Sequence, residues 1–420
     1  MPISQQVQNQ MKGASWIRRM FEQGVELKKK YGERSVFDLT LGNPMVEPPA
    51  SFRAALREAV EGDVVGAHRY MPNIGYEATR AAVARSLAGD MGVALSASRV
   101  VMTVGAASAL NVVLKSLLNP GEEVIVLAPF FPEYRFYVEN HGGKMVVVGT
   151  SEQFDLDVEM IAAAMNDRTK AIIVNSPNNP TGVIYGAESF RKLNEYLEDH
   201  RRRTGRTVYV VSDEPYRKIV YETRRSPSPL AYCRDTVLCS SHSKDLAIPG
   251  ERIGFAVVGP DVEDGELLLN AMAFNVRTLG FVNAPALMQR VVAGLQDDSV
   301  SVDWYREKRD RLYQALVGAG YDCRLPGGAF YFFPKCPIED DVEFVRRLAE
   351  RRVLAVPGSG FGVPGYFRLS YCCEDWTVDG AIPILEELGG LGGKSVGAAT
   401  KATKGVSQTA GDLRPGFPLN

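Results

Sequence analysis

None of the six cysteines stands in a C-x-x-C pair. Cys233, Cys239, Cys323 and Cys336 are isolated, and Cys372 and Cys373 are adjacent. That spacing offers neither a metal knuckle nor a redox dithiol, so the thiols read as reduced and mostly buried. Histidine is scarcer still. His68, His141, His200 and His242 are scattered over 420 residues, and neither a metal site nor a Ser-His-Asp site is expected. An excess of one charge is missing too. Lys and Arg total 48 against 50 Asp and Glu, a net charge of −2, which recruits neither nucleic acid nor an anionic membrane. No apolar run is long enough to span a bilayer. The N-terminus MPISQQVQNQMKGASWIRRM has no apolar signal core, and a cytoplasmic location is the expectation. Chemistry must then rest on lysine, aspartate, tyrosine, arginine or a bound cofactor.

What is present is alternation. Runs rich in Val and Ile occur at 99–104, 123–128, 144–149, 170–174, 207–212, 236–241 and 252–258. They are almost continuously apolar, as strands covered on both faces are. Helix-like stretches such as 107–118 and 187–203 lie between them, which predicts an α/β domain on a mostly parallel seven-stranded sheet. Beyond about 290 the pattern changes to helices at 303–317, 341–351 and 376–388 and short strands at 330–333, 353–356 and 367–371, a smaller α+β domain. The length favours two domains. The expected division is an N-terminal segment, 1–50, joining the small domain, a large domain over 51–290, the small domain over 291–388 and a tail over 389–420. The tail is rich in Gly, Ser, Thr and Lys and is expected to be disordered.

Four segments carry candidate chemistry. In SSHSKDLAIPGERIGF (240–255), Lys244 follows a buried strand and Arg252 comes eight residues later. Ligands bind at strand ends of α/β sheets. A partly desolvated lysine beside a cation has a depressed pKa and is a usable nucleophile. Ser241 and Arg252 suit a phosphate; a surface lysine with an ion-paired arginine is the plainer reading. In VSDEPYRKIVY (211–221), Asp213 ends a strand. It suits a buried cation such as a pyridinium nitrogen, with Tyr216 able to donate to a phenolic oxygen, or it caps a following helix. In VNSPNNPTGVIY (174–185), a turn-rich loop after a strand, Asn179 can donate its amide to a ring oxygen. In TVGAASALNVVLKSLL (103–118), Gly105 stands where a strand becomes a helix, and the N–H groups from Ala106 onward form an anion site there.

NNPTG, SDEPY, SHSK and GERIGF, in this order from about Leu41 to Tyr371, resemble the fold type I pyridoxal 5′-phosphate (PLP) enzymes, and among them the class I/II, aspartate aminotransferase-like family. The resemblance implies that Lys244 carries the cofactor as an internal aldimine and moves the proton at the substrate Cα. It implies that Asp213 pairs with the pyridine nitrogen and that Asn179 and Tyr216 bond the phenolic oxygen. Gly105, Ala106, Ala107, Ser241 and Arg252 are implied around the phosphate. Phe131 in APFFPEY matches the aromatic stacked on the ring, although a plain core phenylalanine is the other reading. Arg368 in FRLSY matches the clamp for the substrate α-carboxylate, and Gly42 in LGNP a backbone position near the substrate. Tyr70 in HRYMPNIG resembles a tyrosine that reaches the phosphate of a partner subunit, which implies a homodimer. The implied reaction moves an amino group between an amino acid and a 2-keto acid.

The chain also departs from the pattern. Where many bacterial aspartate-type members place a lysine for the distal carboxylate, it has Ala107 followed by Ser108. Dicarboxylates should therefore not be preferred unless Arg277 or an N-terminal arginine reaches the site. Elimination, replacement or cyclisation, including chemistry on S-adenosylmethionine, shares the fold and is the alternative. A regulator fused to a DNA-binding module is the remaining reading, disfavoured by the near-zero net charge.

Overall fold

In the computed structural model, residues 3–12, 16–223 and 225–390 are described; the expected tail lies, from 391 onward, outside them. Seven strands form the central sheet in the order Val100–Thr103, Gly254–Val258, Thr236–Ser241, Tyr209–Asp213, Thr169–Asn175, Glu123–Ala128, Lys144–Gly149. Six point the same way; Gly254–Val258 runs against both of its neighbours. The fold is α/β with a mainly parallel sheet, as the seven apolar runs predict.

Period-two alternation explains why those runs are unbroken. Val124 and Val126 belong to a core that includes Leu110, Val113 and Leu114 of the Ala106–Leu117 helix and Met272 and Val276 of the Gly265–Thr278 helix. The intervening Ile125 and Leu127 belong to another core, with Phe190, Leu193 and Leu197 of the Ala187–Thr204 helix. Both faces are covered, so both parities must be apolar. Lys144–Gly149 lies at the sheet edge and is the least buried of the seven.

A second core gathers Leu39, Tyr305, Leu312, Phe330, Phe344, Phe367 and Leu385 around the helices Asp303–Gly318, Asp341–Glu350 and Asp375–Gly389. The N-terminal Phe37–Asp38 strand pairs in parallel with Val353–Leu354. The run expected as one strand at 353–356 is two, because the chain changes partner at Ala355. Val356–Pro357 pairs with Phe367–Ser370, which also pairs with Tyr331–Phe332. Leu295 still packs with the sheet-side residues, whereas Val300 belongs to the second core. Among the described residues no helix is long and apolar enough to cross a membrane.

Candidate active site

The parallel strands end along one edge of the sheet, and the chain leaves that edge in loops that converge. A cavity of about 250 Å³ lies there, lined by residues that include Lys244, Asp213, Tyr216, Asn179, Phe131 and Arg368. Gly42, Ala106, Ala107, Ser241 and Arg252 line it as well. Every singled-out residue thus meets in one place except Gly105, which stands beside Arg252, and Tyr70. Tyr70 is 89 % exposed on this chain's surface, in a different depression with His68 and Phe281. A wider surface cleft of about 560 Å³ holds Arg225 and Asp90, but these are already paired with each other at 3.0 Å, and it lies away from the strand ends.

Gly105 adopts φ +85° as it caps the Ala106–Leu117 helix. A Cβ there would lie 2.6 Å from an Arg252 guanidinium nitrogen, so only glycine suits both the backbone and the contact. The first N–H groups of that helix have no partner within it and form the positive end of its dipole. Arg252, itself at φ +49°, donates to the carbonyls of Pro249 at 2.9 Å and Val104 at 3.4 Å. Its guanidinium is thereby held over the helix start, where an anion sits best. Gly42 has a different reason to lack a side chain: a Cβ would meet the Tyr331 hydroxyl at 1.8 Å.

Asp213 is the only acid lining the cavity among the described residues. Its Oδ2 accepts from the Tyr134 hydroxyl at 2.5 Å and faces the Asn175 amide at 3.5 Å. Its Oδ1 is buried without a partner. Burial pushes its pKa up to about 7, with Tyr134 pulling it down and Glu214 pushing it further up. A cation facing Oδ1 relieves that cost. No helix follows Asp213; the chain turns instead, which removes the helix-capping alternative.

Lys244 is half-buried in the cavity wall, and desolvation brings its pKa down to about 8, with Arg252 and Arg368 acting in the same sense. Its Nζ donates to the Gly42 carbonyl at 2.5 Å. Lys244 thus lines the cavity rather than standing free on the surface. Arg368, 1 % exposed, donates to Asn179 Oδ1 at 3.0 Å and to the Thr40 carbonyl. Its Nε has no partner, and it faces the Tyr331 and Phe361 rings at 4.7 and 4.9 Å. No carboxylate pairs with it among the described residues. A buried guanidinium in that state is a receptor for a carboxylate that arrives with a ligand.

Among the lining residues that the sequence did not single out, four shape the site. Tyr134 and Asn175 hold Asp213. The Tyr331 hydroxyl shares a hydrogen bond with that of Tyr216 at 2.8 Å, and Tyr137 completes the wall. The available signals were slight: Tyr134 lies three residues past Phe131, and Asn175 is the last residue of its strand.

The residues fit PLP. An unpartnered carboxylate oxygen suits a ring cation, the glycine-capped helix start with Arg252 suits a phosphate, and a neutralisable lysine lies in the same cavity.

Comparison with known proteins agrees with that fit. Residues 34–384 match the aminotransferase class I and II family. The chain is 32 % identical over 359 residues to a probable N-acetyl-LL-diaminopimelate aminotransferase of Bacillus subtilis, covering 84 % of this chain and 88 % of that protein. It is 31 % identical to a probable aspartate aminotransferase of Methanocaldococcus jannaschii, covering 84 % and 92 %. Among solved structures, an amino transferase from Eubacterium rectale superposes with TM-score 0.88 at 36 % identity, covering 92 % of this chain and 98 % of that one. An aspartate aminotransferase of Thermus thermophilus with maleate gives 0.83 at 29 %, covering 92 % and 100 %.

Proposed function

The chain belongs to the class I and II aminotransferases and is a PLP-dependent enzyme, and on that premise we propose which of its residues do the work and on what class of substrate. The observation that carries the reading is a single cavity lined by a half-buried Lys244 and by the buried Asp213 and Arg368, none of which has an ion-pair partner among the described residues. Bound there, PLP supplies the electron sink for the carbanion formed when the substrate Cα–H bond breaks.

The protein's own groups do the rest. Lys244 would hold the cofactor through Nζ and would move the proton at the substrate Cα. Its depressed pKa keeps a larger share of the amine neutral than an exposed lysine has. Asp213 Oδ1 would keep a proton on the ring nitrogen, while Tyr134 and Asn175 hold that carboxylate in place. The start of the Ala106–Leu117 helix, Ser241 and Arg252 take the phosphate. Arg368 binds the α-carboxylate, held ready by Asn179 and the Thr40 carbonyl. Tyr216 and Asn179 would bond the phenolic oxygen, and Phe131 would cover the ring face. The substrate leaves as a keto acid, and a second keto acid takes up the amino group.

The proposed donor is a neutral or apolar amino acid rather than aspartate. Lys244, Arg252 and Arg368 are the cations lining the cavity, and each has a role above. Glu133 adds negative character near Arg368; burial raises its pKa and Arg368 lowers it. The proposed assembly is a homodimer. Val65 at 96 % and Tyr70 at 89 % exposure are apolar groups awaiting cover in one loop. The sheet with the cores on its two faces and the core around Tyr305 and Phe330 are read as two domains, and the six unpaired cysteines suit a reducing, cytoplasmic setting.

The test is a half-reaction screen of amino acids against the PLP form. Transamination predicts keto acid and the amino form of the cofactor in equal amounts. Release of ammonia, or product without conversion of the cofactor, would favour elimination or cyclisation.

A further inference from the structure

Lys244 is flanked by two buried polar residues that do not line the cavity, His242 and Asp245. Asp245 Oδ2 lies 3.2 Å from Lys218 Nζ and 3.2 Å from His242 Nδ1. Its Oδ1 accepts from the Leu246 N–H at 2.9 Å, and its carbonyl accepts from the Val300 N–H at 2.7 Å. Lys218 Nζ also donates to the carbonyls of Gln296 at 2.6 Å and Asp298 at 2.9 Å. The Gln296 amide nitrogen donates to the Val292 carbonyl at 2.7 Å and lies 3.3 Å from His242 Nε2. The bond to Val292 fixes that nitrogen as a donor. His242 Nε2 must then accept, and Nδ1 carries the proton that faces Asp245.

One carboxylate therefore ties three segments together. Residues 216–218 bring Tyr216 to the cavity, residues 242–246 bring Lys244, and residues 296–300 lead the chain from the sheet-side core to the second core. Burial works against the charge on Asp245, but His242 and Lys218 outweigh it and hold the carboxyl at about 2. The Lys218 ammonium and the Asp245 carboxylate offset each other at 3.2 Å. Apolar residues of like volume do as well or better for stability than a buried ion pair. What a satisfied buried network adds is a fixed geometry.

Resting on the reading of Lys244 as the cofactor's anchor, we infer that Asp245, held by Lys218 and His242, is a positioning residue that sets the Lys244 backbone so that Nζ enters the cavity beside Gly42. It touches neither substrate nor cofactor. Its effect is on where the amine stands, and through the 296–300 segment it links that position to the packing of the second core.

The experiment follows capture of free PLP by cofactor-free protein, read as growth of the lysine-bound absorbance, alongside the melting temperature of the same samples. Asp245→Asn and Lys218→Met should each slow capture by about tenfold or more, since small misplacements of a reacting group are costly. The double variant Lys218→Met/Asp245→Asn leaves no unpaired buried charge. It should regain melting temperature but still capture slowly, and it supplies the reading where Asp245→Asn alone does not fold. Recovery of capture together with melting temperature would mean that the pair acts only through stability and overturns the inference. So would capture within about twofold of the parent in Asp245→Asn, a change too small for a displaced amine. Lys244→Ala is the separate arm: capture at the parent's rate there removes Lys244 from its role, a failure distinct from that of Asp245.

Discussion

Tyr134 donates its hydroxyl to Asp213 Oδ2 at 2.5 Å and leaves Oδ1 buried and unpartnered. The tyrosine occupies one lone-pair direction of the carboxylate and directs the other at whatever fills the cavity. A carboxylate in this position favours a protonated ring nitrogen, and the protonated ring is the better electron sink.

Asp213→Asn should therefore keep its fold and bind PLP, but lose about a hundredfold or more in the rate of the half-reaction with a good amino acid, the scale of a lost buried charge partner. Tyr134→Phe removes only the hydrogen bond and should cost about tenfold or less. Single-turnover absorbance changes measure both. A near-normal rate in Asp213→Asn would take Asp213 out of the role.

Lys244 gives a pH prediction with a definite sign. Its pKa in the folded, cofactor-free protein is about 8 because burial penalises the ammonium, against about 10.4 for an exposed lysine. The neutral, reactive fraction grows as pH rises, reaching half near 8. Modification of Lys244 by a carbonyl reagent should follow that curve. The unfolded chain binds more protons than the folded one between the two values. Cofactor-free protein should thus gain stability as pH rises from about 8 to about 10.4 through this group. A modification midpoint near 10 would show that the lysine is not desolvated.

The phosphate end is tested at Gly105. Alanine there meets both an unfavourable φ of +85° and the Arg252 guanidinium at 2.6 Å. Gly105→Ala should weaken PLP binding by about tenfold or more, the scale of a strained backbone position. Equilibrium titration of cofactor-free protein reads this directly. Binding unchanged within error would place the phosphate elsewhere.

Much of this was legible in the sequence, for a physical reason. Strands covered on both faces must be apolar at every position, so all seven stand out as Val- and Ile-rich runs, and the residues just past their ends fall on one edge. Lys244, Asp213, Asn179 and Arg252 could be placed that way. The supporting contacts could not. Tyr134 is 79 residues from Asp213, Asn175 is 38 residues from it, and Tyr331 is 115 residues from Tyr216. Local pattern carries no information about which distant side chain will close on a given carboxylate or hydroxyl. Tyr331 lay inside an apolar run that reads simply as strand. The Lys218–Asp245 pair was hidden for the same reason, since a lysine in SDEPYRK reads as solvated until the fold encloses it.

The proposed substrate choice turns on Ala107. It lines the cavity where a lysine would meet a distal carboxylate, and Ser108 beside it is buried and bonds back to the Gly105 carbonyl at 3.0 Å. Arg277 does not make up the loss within this chain: it is exposed and lies over the Phe274 ring at 5.6 Å. A second carboxylate entering with the substrate would be desolvated without a cation, and Glu133 near Arg368 would oppose it further. Neutral amino acids should accordingly exceed aspartate and glutamate in kcat/KM by about tenfold or more, since one unpaired buried charge is worth at least about 1.4 kcal/mol. Ala107→Lys should narrow that gap by raising the dicarboxylates, and Glu133→Gln should act in the same direction more weakly. Steady-state comparison over a panel of acidic, apolar and polar donors decides the matter. Aspartate as the best donor of the unaltered enzyme would mean that a cation from outside this cavity reaches the substrate, and the argument from Ala107 would fail.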